Sequence, residues 1–296
     1  MFVQDNSLSA TQIYFSNQLQ GLFSEREVKT MFEALIKQRL NWTSADFLLH
    51  HEARLSESDL LFIRSAVKRL LLHEPFQYVI GNTEFYGLSI TCAPGALIPR
   101  PETEELVDWI LEELKEKDSK ILDIGTGSGC IALALKKNTI NSNVWGLDVS
   151  ESALTIAKEN AHELGIEVKF LSQDILSDHP LEFENSSFDV IVSNPPYIPL
   201  NEQVKMEPNV LQFEPHKALF VPDHDPLLFY RVIATKSLSL LKYNGVLFFE
   251  IHEDFAFQVK DLLMDLGFIN IELRKDLQGK ARMMRAQNVI SNYESK

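Results

Sequence analysis

The chain has 296 residues, 45% of them hydrophobic and 24% charged, which suits a folded protein of one large domain and one small one and excludes a disordered chain. With 42 acidic against 28 basic residues the formal charge is −14, so the surface as a whole repels a phosphate backbone, and nucleic acid is not expected as substrate. Two cysteines outside any CxxC spacing, no signal-like N-terminus and no apolar run of spanning length predict a cytoplasmic protein with no membrane partner and no zinc or redox site.

Apolar Val28, Phe32, Leu35 and Ile36 recur at helical spacing in Glu25–Leu40, and Leu60, Ile63, Val67, Leu70 and Leu71 do so in Ser56–His73, where Ser56 and Asp59 have the spacing of a capping box. Residues 1–75 therefore read as a helical domain. Tyr78–Ile80, Glu84–Tyr86 and Leu88–Cys92 look like short strands broken by Gly81, Asn82 and Gly87, so 76–98 reads as a hairpin linker. The remainder, 99–296, opens with Pro99-Arg100-Pro101 and an amphipathic helix over Glu102–Lys117. It then alternates strand and helix, with strands at Ile121–Ile124, Val144–Asp148, Val168–Leu171, Phe188–Ser193, Val246–Ile251 and Ile269–Leu273. The loop residues Asp223, His224 and Asp225 are too close in sequence to converge on one metal ion. Near the C-terminus Arg274, Lys275, Lys280, Arg282 and Arg285 form the largest positive excess, read here as a solvated hairpin.

The first of those strands, with Asp123 in it, runs into Gly125-Thr126-Gly127-Ser128-Gly129 and then a helix. In an open α/β sheet such a turn lies at the carboxyl edge, where ligands bind. A dinucleotide fingerprint requires Gly or Ala at position 130, which is Cys, and no Gly-Lys-Ser/Thr follows to make a phosphate loop. The common ligand left for Asp-x-Gly-x-Gly-x-Gly is S-adenosylmethionine. Asp148, ending the second strand, is placed to accept from both ribose hydroxyls. Asp174 is expected at the adenine amino group with Ile175 against the ring, and Asp123 toward the methionine end.

Phe188–Ser193 ends in Asn194-Pro195-Pro196-Tyr197. An amide nitrogen is a poor nucleophile, since its lone pair is delocalised into the carbonyl. The Asn194 side-chain carbonyl and the Pro195 backbone carbonyl can accept its two N–H bonds. The prolines fix φ and bring no competing N–H, and the Tyr197 ring can cover the flat amide.

These residues resemble the amino-methyltransferases that act on adenine N6 or on glutamine, both of which offer a planar NH2. Pro75–Gly81, Phe85-Tyr86-Gly87, Leu97–Glu104 with its Arg100-Pro101-Glu102-Thr103-Glu104, Phe213-Glu214-Pro215, Ala218-Leu219, Gly279 and Arg282 are similar to the peptide chain release factor N5-glutamine methyltransferases, the HemK/PrmC family. The related enzyme acting on a ribosomal protein usually carries Pro-Arg-Ser-Pro where this chain has Pro99-Arg100-Pro101-Glu102. Val221–Pro226 and Asn209–Gln212 depart from the family pattern. The resemblance implies a Rossmann-like class I S-adenosylmethionine-dependent methyltransferase sheet of seven strands, the last antiparallel and matched here by Ala281–Ala286, with a small N-terminal helical domain that docks the substrate. It implies as methyl acceptor the glutamine of the Gly-Gly-Gln motif in class I release factors, a step in translation termination.

Overall fold

The structure is a computed structural model and describes residues 5–114, 118–139, 141–179, 181, 183 and 185–290. By its internal contacts the chain divides into two compact units, one of residues up to Asn82 together with Glu207–Phe213, and one of Thr83–Met206 with the chain from Glu214 onward.

The first unit is helical: α1 (Leu8–Leu19), α2 (Glu25–Leu40), α3 (Ser44–Leu49), α4 (Glu57–Leu71) and α5 (Phe76–Ile80). Capping boxes start α2 (Ser24 with Glu27), α3 (Thr43 with Asp46) and α4 (Ser56 with Asp59), each satisfying backbone N–H groups that a helix start leaves unpaired. Val28, Phe32, Leu35 and Ile36 of α2 meet Leu60, Ile63, Val67 and Leu70 of α4 in one core with Phe15 and Leu19 of α1. Leu71, expected on the same face, is 44% exposed: the position after Leu70 is turned about 100° around the helix. The sequence reading of Tyr78–Ile80 as strand is corrected to helix. Arg69 donates to the carbonyls of Tyr78 (2.8 Å) and Val79 (3.2 Å), so acceptors in this short helix have a side-chain partner.

From Thr83 onward the chain is in the second unit, where β1 (Asn82–Phe85) and β2 (Leu88–Thr91) form a hairpin whose two turn residues, Tyr86 and Gly87, both have positive φ (48° and 71°), as a tight hairpin requires. Then come α6 (Pro101–Leu114), β3 (Lys120–Ile124), α7 (Cys130–Asn138), β4 (Asn143–Asp148), α8 (Glu151–Leu164), β5 (Lys169–Ser172) and β6 (Phe188–Ser193). The two-residue strands β7 (Ile198–Pro199) and β8 (Phe220–Val221) pair in parallel; between them lies α9 (Pro208–Phe213), which belongs to the first unit. The chain ends with α10 (Leu228–Leu240), β9 (Leu241–Glu250), α11 (Ala256–Asp265), β10 (Ile269–Lys275) and β11 (Ala281–Gln287). The part of the first catalytic-domain helix expected beyond Leu114 falls on 115–117, outside the described residues.

Seven strands make one sheet in the order β10-β11-β9-β6-β3-β4-β5. The five strands from β9 to β5 run parallel, and β11 lies antiparallel between β9 and β10. Both faces are covered, by α6 and α7 with Leu106, Trp109, Ile110 and Leu133 on one side and by α10 and α11 with Tyr230, Ile233, Val259 and Leu263 on the other. That double cover is why Val190–Val192 of β6 and Val246–Phe249 of β9 read as continuous apolar runs. The β10–β11 hairpin exists, but it is not simply solvated. Arg285 is 8% exposed and reaches Glu113 and Glu272, and Arg274 lies 4.2 Å from the centre of the Trp109 ring. Long basic side chains lay their apolar stems along the sheet.

Candidate active site

The glycine turn leaves β3 with Gly125, Gly127 and Gly129 all at positive φ (75°, 56° and 82°), a conformation side chains resist. It is held from below by the backbone: Gly125 and Thr126 both donate to the Leu147 carbonyl, at 2.7 and 3.0 Å. Asp148 at the end of β4 accepts from Gly127 N–H (2.9 Å) and Ser150 N–H (2.9 Å), leaving lone pairs on both oxygens. Burial raises its pKa, against the effect of those N–H donors. Asn160 of α8, fully buried, donates to the Ser128 carbonyl (3.0 Å) and accepts from Thr91 N–H (2.7 Å), clamping the turn to the β1–β2 hairpin. Gly146 was not singled out by the sequence. A Cβ there would lie 2.7 Å from Phe170 and 2.8 Å from Thr126 Oγ1, so only glycine lets the turn sit this close to β4.

Asp123 is fully buried; its Oδ2 accepts from Thr126 Oγ1 at 2.6 Å, and its Oδ1 has no partner within hydrogen-bond distance, the Ala132 N–H acting on the carboxylate only from further off. Burial pushes its carboxyl up to about 7. Asp174 is exposed beyond β5 and accepts from Leu176 N–H. Ile175, by contrast, is 8% exposed and belongs to the same core as Leu122 of β3 and Leu147 of β4, which leaves it little surface for a ligand. Cys130, next to the turn, is buried and its thiol is pushed up to about 12, which makes it an inert packing group.

The register of the sheet sets the second half of the site. Ile124 pairs with Ser193, and Ser193 Oγ donates to the Ile124 carbonyl at 2.6 Å, so Gly125 and Asn194 leave adjacent parallel strands side by side. Asn194 donates from Nδ2 to Thr103 Oγ1 (3.3 Å). Thr103 in turn donates to Glu250 Oε2 (2.6 Å), and Tyr197 donates to Glu250 Oε1 (2.9 Å). Burial raises the pKa of Glu250, opposed by these hydroxyls and by Arg282; burial and the Glu250 charge raise that of Tyr197. Neither Thr103 as a contact nor Glu250 at all was expected from the sequence. Glu214 stood in the Phe213-Glu214-Pro215 match without an assigned contact. It is buried and accepts from Ile98 N–H (3.1 Å) and Arg100 (2.5 Å), joining the segment before α6 to the one before β8.

Asp223 accepts from Asn201 N–H and Asp225 pairs with Arg231, in keeping with a loop role. Among the described residues the group close enough to share a cation is instead Glu202, His252 and Asp254. No helix among the described residues is long and apolar enough to cross a membrane.

A family model described as a methyltransferase domain matches residues 115–288, and one described as the PrmC N-terminal domain matches 13–81. The release factor glutamine methyltransferase of Flavobacterium psychrophilum is 40% identical over 275 residues, covering 92% of this chain and 95% of its own length. The chain belongs to the release factor glutamine methyltransferase family. Another relative with that name, from Bacteroides thetaiotaomicron, is 40% identical over 92% of this chain and 97% of its own. Among solved structures a methyltransferase from Pyrococcus furiosus, 19% identical, superposes with a TM-score of 0.50 over 69% of this chain and 90% of that one, a likeness of fold. As a member of the release factor glutamine methyltransferase family the protein is an enzyme whose methyl donor is S-adenosylmethionine.

The glycine turn fits that cofactor. A Cβ placed on Gly125 or Gly127 meets nothing within 4 Å, so the backbone there borders open space, and the unpartnered Asp123 Oδ1 lies in the strand that feeds the turn.

Proposed function

We propose that the protein methylates the side-chain nitrogen of the glutamine in the Gly-Gly-Gln motif of class I peptide chain release factors, in the cytoplasm. The observation that supports this reading is the side-by-side exit of Gly125 and Asn194 from β3 and β6, with the glycine turn and the Asn-Pro-Pro-Tyr turn at one sheet edge. The relatives' names supply the acceptor.

S-adenosylmethionine, when bound, supplies a methyl group activated by its sulfonium charge. Gly125, Thr126, Gly127, Ser128 and Gly129 would hold it, with Asp148 as acceptor for its ribose hydroxyls, Asp174 as acceptor for its adenine amino group, Ile175 beside Asp174, and Asp123 on the methionine side. Asn194 Oδ1 and the Pro195 carbonyl accept the two N–H bonds of the glutamine amide. The nitrogen lone pair is thereby aimed at the methyl carbon, and the Tyr197 ring covers the amide face while Pro196 keeps the turn rigid. The cofactor would supply the methyl carbon for the new N–C bond and would keep the S–C electron pair on its sulfur. The nitrogen, acidic once methylated, gives its proton to water, so positioning rather than a strong base carries the rate. Residues 1–75, together with α5 and α9, act as the docking unit for the release factor, and 99–296 apart from α9, with the β1–β2 hairpin, as the methyltransferase unit.

The test is methyl transfer from labelled cofactor to purified class I release factor, beside the same factor with the motif glutamine changed to alanine and beside duplex DNA. Label on the intact factor alone is expected. Label on DNA would turn the reading toward adenine, and label on the alanine variant would move the acceptor elsewhere.

A further inference from the structure

Glu250 is 2% exposed at the end of β9, and its two carboxylate oxygens each take one hydroxyl, from Thr103 and from Tyr197. An ionised carboxylate can only accept, and a threonine hydroxyl has a single proton. With that proton spent on Glu250 Oε2, Thr103 Oγ1 can offer Asn194 only a lone pair. The side of the Asn194 amide facing Thr103 must therefore be NH2, as the 3.3 Å contact has it. The carbonyl Oδ1 is then at the other corner of the planar amide, directed away from Thr103, and among the described residues it accepts no hydrogen bond.

An asparagine amide has two orientations half a turn apart, nearly equal in shape and opposite in hydrogen bonding. Turned the wrong way, Asn194 would set its own N–H donors against those of a substrate amide. We infer that Thr103 and Glu250 are positioning residues for the methyl transfer, a relay in which the buried Glu250 orients the Thr103 hydroxyl and the hydroxyl locks Asn194 as an acceptor, while the same carboxylate fixes Tyr197. The inference rests on the proposed function, since it presupposes that Asn194 Oδ1 accepts from the glutamine amide. It also gives a chemical task to the threonine of Arg100-Pro101-Glu102-Thr103-Glu104.

The experiment compares Thr103→Val and Thr103→Ser in the full-length protein, each also in an Asn194→Ala background, by labelled methyl transfer to the intact release factor. Cofactor titration and thermal melting of each variant establish that it is folded and loaded. Loss of one neutral hydrogen bond predicts a fall in kcat of about tenfold for Thr103→Val. Cofactor affinity should be unchanged, and Thr103→Ser, which keeps the hydroxyl, should stay near wild type. In the Asn194→Ala background Thr103→Val should cost nothing further, because the relay acts through Asn194. Full activity in Thr103→Val, equal damage from Thr103→Ser, or an undiminished loss in the Asn194→Ala background would each overturn the relay while leaving the proposed function standing. A wild-type protein that puts no label on the factor overturns both.

Discussion

On the proposed reading Asn194→Ala deletes an acceptor for the substrate amide, and turnover on the release factor should fall roughly 10^2- to 10^3-fold, by analogy with removing one hydrogen-bonding group that stabilises a transition state. Single-turnover methyl transfer checks this, and near-normal turnover would remove Asn194 from the chemistry. Glu250 adds a pH dependence. Burial holds its pKa above the ordinary carboxylate value, with Thr103 and Tyr197 donating to it, Arg282 opposing the shift, Glu102 adding to it, and Tyr230 donating to its backbone carbonyl. The ionised form is the one that orders Thr103, so kcat should drop as pH falls through that raised pKa. Glu250→Gln should lower the plateau and abolish this limb of the kcat profile. At this scale Asn194 and Tyr197 could be singled out because they stand in a recognisable turn after β6, and Asp148 because it ends β4. Thr103 and Glu250 were not, since Thr103 meets Asn194 across 91 positions of chain and Tyr197 meets Glu250 across 53, and no local pattern carries such a pairing.

Packing between β4 and the glycine turn makes Gly146→Ala an overpacking change: the new methyl would fall within 3 Å of both Phe170 and Thr126. It should destabilise the fold by about 1–3 kcal/mol in urea melts and weaken cofactor binding together with it. Undisturbed affinity would mean that the turn tolerates a shift away from β4. Asp123 makes the same region sensitive to pH. Its carboxyl is raised from 3.8 to about 7, so the folded chain holds this proton more tightly than the unfolded one. Its contribution to stability is therefore fully present below 3.8 and is lost as pH rises through about 7. Asp123→Asn keeps an acceptor for Thr126 and removes the titration, so wild type should lose stability relative to this variant across that window in cofactor-free melts; parallel curves would show that the carboxyl titrates normally. Most helices and sheet strands were legible at this scale, because α2, α4 and α6 carry apolar residues at one angular spacing and β6 and β9 are buried on both sides. Helix α5 was not: Tyr78, Val79 and Ile80 favour strands locally, and the Arg69 contacts to its carbonyls are tertiary.

At the scale of the whole molecule, the charge of −14 predicts that docking of a basic protein surface is steered electrostatically. KM for the release factor should rise with added salt while cofactor affinity stays level, and a salt-independent KM would assign docking to apolar contacts instead. The fold class was legible from the alternation of strands and helices, and the seventh strand from the family pattern; the membership of Glu207–Phe213 in the first unit was not, because it interrupts the second unit's sequence with a segment of six helical residues. The chain leaves the first unit at Asn82, returns to it at Glu207 and departs again after Phe213. On the ribosome, then, the helical unit is still missing a piece when the glycine turn and the strand before Asn194 have already been synthesised. Its completion must wait for the middle of the catalytic sequence, and no single cut of the chain yields two whole parts.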